Sequence, residues 1–361
     1  MAVADRAGLA GVVLTRPGPV AWATGGLNAP IDRSAPVDLV WLALGADRAT
    51  VVTTAVEAPR LAAEHDLAGL GLDLVAVPWW AHDAFVSAAA TAAGAPPADL
   101  GADDHPAFGH DLSVGLTETR LALDAGEQAQ LRSLGRDAAT AVEGALGAWR
   151  PGEQDRDVAA RVAADVERMG ALAPVLLVGG DDRVRRFRHP VAVGAPMHEL
   201  VMAVLVASRD GRHVALTRYA SARPVDDDLA DGLTAARRLH RRTLGACRPG
   251  TTAGAVMTEV AAAYADEGAP TAWQQHYQGG PIGYGQREFE IAPGQSDSPW
   301  WTTRLPAGCA VAWNPSLPGG AKDEDTYLLG DDGPELVTST ADWPTADDLQ
   351  PARPAVLVAG H

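Results

Sequence analysis

An α/β N-terminal domain over residues 1–115, followed by an α+β domain over residues 116–361 with an internal repeat, is the fold class that the sequence predicts. Three observations carry it. Short Val- and Leu-rich runs alternate with helical stretches in the first third. Long helical stretches bounded by strong breakers follow. Finally, a helix–breaker–helix pattern occurs twice, 98 residues apart.

In the first third, residues 10–15 (AGVVLT), 39–44 (LVWLAL), 50–54 (TVVTT) and 74–77 (LVAV) read as strands buried on both faces. Residues 56–65 have a helical pattern. Residues 90–106 are rich in Ala, Gly, Pro and Asp without periodicity, which suggests a boundary near residue 115. A helix then spans about 125–149 and must break at Arg150-Pro151-Gly152. Next come a helix over 156–169, a strand over 174–178, a basic turn over 183–189, and strands over 200–207 and 213–217. Helices over 227–246 and 253–265 are separated by Arg248-Pro249-Gly250. The repeat aligns both Arg-Pro-Gly breakers, Val158 with Val256, Ala163-Ala164 with Ala261-Ala262, and Gly170-Ala171 with Gly268-Ala269. Coincidence in an Ala-rich chain is the alternative, but aligned breakers are harder to match by accident than alanines.

The chain of 361 residues holds 46 Asp and Glu against 29 Lys and Arg, a net charge of −17. Such a field repels nucleic acid and anionic membranes, so neither is an expected partner. The start of the chain lacks a basic segment followed by a sustained apolar run, and no stretch is long enough for a membrane span. A cytoplasmic protein is the expectation. Cys247 and Cys309 form neither a metal spacing nor a disulfide framework and read as small buried side chains. Ten Trp against four Phe is a skewed ratio. Trp300-Trp301 reads as a pocket or dimer-contact loop, with core filling as the alternative.

Five segments in order resemble the creatinase/Xaa-Pro aminopeptidase family. They are Gly8-Leu-Ala-Gly-Val-Val-Leu with Val20-Ala-Trp-Ala-Thr-Gly25, residues 51–60, and Gly211-Arg-His-Val-Ala-Leu-Thr217-Arg218. Gly279-Gly280-Pro-Ile-Gly283-Tyr284 with Arg287-Glu288, and residues 305–315 with Asp323-Glu324-Asp325-Thr326, complete the set. The resemblance implies a creatinase-like N-terminal domain and a pita-bread C-terminal domain with a pseudo-twofold repeat. It also implies a homodimer. The family's metal-dependent members hold two divalent ions with two Asp, one His and two Glu. Here the two Asp positions fall on Val204 and Ala215, the His position on Gly280 and the first Glu position on Asn314. The last Glu remains as Glu324. One carboxylate and one amide cannot hold two hard cations, so no metal and no other cofactor is expected.

The resemblance places His189 and His276 as substrate-facing histidines, and Arg287 in place of a third. The first reading is therefore a metal-independent C–N hydrolase, similar to creatinase or ectoine hydrolase, acting on a small polar metabolite. His189 is its general acid/base, and Glu324 and Glu288 orient water or substrate. Arg287, Arg218, His276, Asn314 and Tyr284 bind or border the substrate. Four of them have a plainer alternative: a capping His189, an exposed His276, an acidic surface turn at Glu324, an Asx turn at Asn314. For the whole chain, the alternatives are a catalytically silent pseudopeptidase that binds a partner, or a non-hydrolytic enzyme of specialised metabolism on the same scaffold.

Overall fold

The computed structural model describes residues 2–27, 31–33, 35, 37, 39–346 and 352–358. Two compact units divide the chain, Met1–Arg120 and Leu121–His361.

The first unit is built on a six-stranded sheet, with strands β1 (Val12–Leu14), β2 (Trp41–Leu44), β3 (Ala49–Thr54), β4 (Leu72–Val77), β5 (Gly101–Ala102) and β6 (His110–Asp111) in the order β4-β3-β2-β1-β5-β6. Its helices are α1 (Ala2–Ala7), α2 (Pro17–Thr24), α3 (Ala58–Glu64), α4 (His82–Ala93) and α5 (Ser113–Arg120). Successive strand residues point to opposite faces, so two cores form. Val12, Leu14, Leu42 and Val51 meet Leu61 and Leu116 on one face. Val13, Trp41, Ala43 and Val52 meet Phe85 and Ala89 of α4 on the other. Strands β1, β2 and β3 are thus buried on both sides, whereas β4, at the sheet edge, leaves Asp73, Val75 and Ala76 exposed, so the two-sided burial expected of residues 74–77 does not hold there. Trp79 and Trp80 lie exposed beyond β4.

The second unit contains α6 (Ala125–Gly147), α7 (Asp155–Arg168), β7 (Leu172–Gly180), α8 (Asp181–Arg186), β8 (Leu200–Arg209) and β9 (Arg212–Ser221). They are followed by α9 (Asp227–Ala246), α10 (Ala253–Asp266), β10 (Gly279–Ile282), β11 (Ala310–Trp313), β12 (Ser316–Leu317), β13 (Ala321–Lys322), β14 (Asp325–Gly330) and β15 (Gly333–Leu336). Short strands β16 (Thr345–Ala346), β17 (Arg353–Pro354) and β18 (Leu357–Val358) end the described chain. One sheet runs β18-β9-β8-β7 and another β10-β11-β14-β15.

Two helices followed by three antiparallel strands occur in both halves of this unit: α6-α7 with β7, β8 and β9, then α9-α10 with β10, β11 and β14. The likeness extends to single hydrogen bonds. Gly152 N–H donates to Met197 O at 2.7 Å, and Gly250 N–H to Leu305 O at 2.8 Å. Asp155 N–H reaches Ala195 O at 2.9 Å, and Ala253 N–H reaches Thr303 O at 2.9 Å. Gly152 and Gly250 carry φ of 96° and 88°, a left-handed turn that glycine adopts without steric cost.

The segment read as a basic turn opens with the short helix α8. The Asp181 carboxylate accepts the backbone N–H groups of His198, Glu199 and Leu200 and so ties the start of α8 to the start of β8. Trp300 stacks on Phe289 at 4.8 Å, and Trp301 lies against Gly254, where a Cβ would come within 2.4 Å of the indole. The Trp300-Trp301 pair therefore fills core space and does not form a pocket loop. Cys247 and Cys309 are buried and free, and burial pushes the Cys247 thiol up to about 12.

Candidate active site

The two sheets of the second unit are linked where β9 meets the segment leading into β14. Thr217 N–H donates to Glu324 O at 3.0 Å, and the Thr326 hydroxyl donates to Ala215 O at 3.0 Å. A cavity of about 420 Å³ opens beside this junction. Val204 of β8, Ala215 of β9, Gly280 of β10, Asn314 after β11 and Glu324 before β14 all line it. The five positions that the family resemblance assigned to one site, some 120 residues apart at their extremes, thus face a common space. His189, Arg287, Tyr277, Gln286, Glu290 and Lys322 complete its polar walls. A second chamber of about 660 Å³ shares His189, Tyr277, Arg287 and Glu290 with it and adds Arg188 and His276.

Lys322, on β13, was not singled out by the sequence reading. Its side chain is 4% exposed, and its ammonium lies 3.0 Å from Glu324 Oε2. The same oxygen accepts the Thr217 hydroxyl at 2.6 Å, and Oε1 accepts Asn314 Nδ2 at 3.3 Å. Burial works against the Glu324 charge, but Lys322, the Thr217 hydrogen bond and Arg287 outweigh it and hold the group below the usual carboxylate range. A carboxylate bonded on both oxygens is a fixed anion that positions its neighbours and is poorly placed to shuttle protons. Asn314 Oδ1 faces no hydrogen-bond partner although it is buried.

The loop bearing Arg188-His189 is anchored by Asp155. That buried carboxylate accepts Val193 N–H at 3.1 Å, Gly194 N–H at 2.7 Å and Arg183 Nη1 at 2.7 Å. His189 is solvent-accessible on the cavity wall, 5.1 Å from the ring of His276. Partial desolvation, then Lys322 and the flanking arginines, lowers its pKa, so the ring is neutral near pH 7. His276 is buried, and its Nδ1 meets the Tyr277 carbonyl oxygen, which makes Nδ1 the N–H. Nε2 is then a buried acceptor without a partner. Burial and Lys322 push this ring's pKa down to about 3. Arg287 pairs with Glu290 at 2.9 Å and lies over the Tyr277 ring at 5.4 Å.

Three candidate residues lie elsewhere. Arg218 is fully buried on the opposite side of β9 and donates to Glu143, to Asp325 and to the Thr217 and Thr338 carbonyls, which leaves little for a substrate. Tyr284 donates to Glu127 at 2.7 Å and accepts from Arg212 at 3.0 Å. Glu288 folds back onto Gly285 N–H at 3.0 Å and braces the turn after β10. None of the three lines the cavity, so the substrate-binding roles expected for Arg218 and Tyr284, and the catalytic role expected for Glu288, do not fit their positions. His240 is buried against Asp323 at 3.0 Å and Arg353 at 2.9 Å. The side chain of His82 and all of His361 lie outside the described residues.

Residues 129–331, more than half of the chain, match the metallopeptidase family M24. The chain belongs to metallopeptidase family M24. No curated protein matches it. Among solved structures it is similar to the dipeptidase PepE from Mycobacterium ulcerans, at 23% identity and a TM-score of 0.75, over 99% of this chain and 95% of that one. The prolidase from Pyrococcus horikoshii OT3 gives 17% identity and a TM-score of 0.71, over 93% and 96% of the two chains. The N-terminal domain of the FACT complex subunit SPT16 from Eremothecium gossypii gives 13% and 0.61, over 92% and 91%. The M24 chain described here therefore has the pita-bread fold behind a creatinase-like N-terminal unit. C–N bond hydrolysis is the chemistry that family membership supports. No helix among the described residues is long and apolar enough to cross a membrane.

Proposed function

We propose that this M24 member is a metal-independent C–N bond hydrolase acting on a small polar metabolite. One observation carries the reading: Val204, Ala215, Gly280 and Asn314 share a cavity with only two carboxylates, Glu324 and Glu290, and each is already paired with a cation, Lys322 and Arg287. A pair of divalent ions needs several carboxylates to replace water and balance charge. The residues present do not fit that pair. Among the described residues, no group of three or more His, Cys, Asp or Glu is placed to hold a metal ion.

The remaining groups suit acid–base hydrolysis. Neutral His189 takes a proton from water as the water oxygen bonds to the electrophilic carbon. The charge that develops on the carbonyl or amidine group faces Lys322 and Arg287. The resulting imidazolium returns its proton to the departing nitrogen, so the C–N bond breaks without a net change at His189. Glu324 positions Lys322 and Asn314.

The test is turnover of small N-acyl and amidino compounds by the full chain, followed as amine release, with and without a chelator. Turnover that survives chelation and is lost in His189→Gln supports the reading. Turnover abolished by chelation and restored by manganese sinks it. Binding of small polar compounds with no turnover of any points instead to a silent binding protein.

A further inference from the structure

The charged groups around the two chambers do not cancel. Lys322 faces Glu324 and Arg287 faces Glu290, but among the described residues Arg188 donates only to neutral oxygens, Ser316 Oγ at 2.6 Å and Gln275 Oε1 at 3.3 Å. A half-buried guanidinium with neutral partners leaves one positive charge in excess, inside a chain whose net charge is −17. The cleft therefore stands out against its surroundings as a place that attracts a small anion.

Two further atoms narrow the chemistry. Asn314 Oδ1 and His276 Nε2 are buried acceptors without partners, and a buried acceptor left unpaired is costly. They call for N–H or O–H donors on the ligand. Asn314 and Lys322 both bond the Glu324 carboxylate, at 3.3 Å and 3.0 Å, so donor and acceptor stand side by side on one fixed anion. Among the described residues Lys322 has no second carboxylate partner, so part of its fan of three N–H donors remains for a ligand.

We propose that Lys322 is a cation built into the chain where other members of the fold family place metal, and that it selects small carboxylates carrying an adjacent N–H. The ligand carboxylate lies on the Lys322 ammonium, with Arg287 and Arg188 toward the outer chamber. The neighbouring N–H is accepted by Asn314 Oδ1. Glu324 is a positioning residue, since it fixes both partners and touches no ligand atom. This ligand class deepens the hydrolase reading and rests on the same cavity, but it is tested by binding alone.

Calorimetric titration of the full chain with N-acetylglycine and with N-acetylglycinamide, in chelator-treated buffer, measures the contrast. The acid is expected to bind at least about tenfold tighter than the amide, as a charge-assisted hydrogen bond requires. In Lys322→Met/Glu324→Gln, a neutral pair of similar volume, the preference for the acid disappears. Should that variant fail to fold, Lys322→Gln keeps a donor to Glu324 and gives the same readout. In Asn314→Leu, N-acetylglycine loses its advantage over acetoxyacetate, which lacks the N–H. Equal affinity of acid and amide for the wild-type chain overturns the proposal. So does failure of acetate, N-acetylglycine and acetoxyacetate all to bind, or an acid preference that survives in the Lys322 variants. Chelator-sensitive turnover counts against the hydrolase reading while leaving this contrast intact, so the two failures are separate.

Discussion

Replacing Lys322 by methionine tests whether the ammonium holds a buried charge in place. In the wild-type chain Glu324 is 5% exposed and receives Thr217 at 2.6 Å, Lys322 at 3.0 Å and Asn314 at 3.3 Å. Of these, only Lys322 is a cation. Removing it leaves a buried carboxylate with two neutral donors, a change that costs about 3–5 kcal/mol in comparable sites. For a unit of this size each kcal/mol is worth about 2–4 °C in Tm, so melting falls by about 6–20 °C. The deficit depends on pH with a definite sign. In wild type the folded-state pKa of Glu324 is lowered, so its contribution is present above the ordinary value of about 4.3 and is lost as pH falls through the folded value. In the variant burial is no longer outweighed, and the folded pKa rises above the unfolded one. The folded state then binds the extra proton, and stability falls as pH rises through the new value. Urea unfolding at about pH 5 and about pH 8 reads this directly, with the larger deficit at the higher pH. Lys322→Met/Glu324→Gln removes both charges and should return to within about 1 kcal/mol of wild type, or exceed it. A deficit below about 1 kcal/mol at about pH 8, or a larger deficit at about pH 5, refutes the argument.

His189→Gln should leave stability within about 0.5 kcal/mol, because the ring is solvent-accessible, yet lower hydrolysis by about a hundredfold to ten-thousandfold. The lowered pKa of His189 keeps its ring neutral through the physiological range, so turnover should hold steady above about pH 6.5 and decline only on the acid side; an acid limb above that value contradicts the assignment. Arg218→Met should cost at least about 3 kcal/mol in urea unfolding, since Glu143 and Asp325 lose their shared buried cation, while ligand affinity of the folded fraction stays unchanged. Chelator should shift neither turnover nor Tm, and a manganese-dependent rise in turnover would sink the metal-independent reading.

Helix boundaries were readable where strong breakers stand. The α9 limits, 227 and 246, match those expected from the sequence, because Asp226 accepts Leu229 N–H at one end and Arg248-Pro249-Gly250 closes the other. Helix α4 escaped notice because its Ala-rich sequence offers little contrast between faces. The basic segment became helix because of Asp181, whose three backbone partners lie more than fifteen residues ahead and leave no local mark. Site residues followed the same logic. The family resemblance placed Val204, Ala215, Gly280, Asn314 and Glu324 together, but it did not say which way each neighbour points. On β9, Ala215 faces the cavity and Thr217 bonds Glu324, while Arg218 between Thr217 and the next turn of the pleat points back toward Glu143. The alternation that excludes Arg218 identifies Lys322. Residues 322 and 324 share one face, whereas Asp323 and Asp325 turn the other way to meet Arg353. The alternation was present in Lys322-Asp323-Glu324-Asp325, but three adjacent acids left a surface turn open as the alternative, which the buried partners Arg353 and His240 exclude.

Charge balance explains why this pocket can persist without its expected donors. Four carboxylates around two divalent ions form a neutral set, and losing any single donor from it leaves positive charge uncompensated. Exchanging the whole set for one ammonium and one carboxylate restores neutrality with two charges in place of eight. Val204 and Ala215 then line the vacated walls with apolar surface, so no further anion has to be desolvated. Such a site no longer needs an ion to be stable, and Lys322 itself stands where a divalent cation would have to approach Glu324. Reinstating one donor, as in Asn314→Glu, therefore adds a second carboxylate beside the Lys322 ammonium and still leaves too few ligands for a pair of divalent ions. On the proposed reading, absence of the metal donors and presence of Lys322 are one electrostatic change, and that coupling underlies the proposed preference for carboxylates.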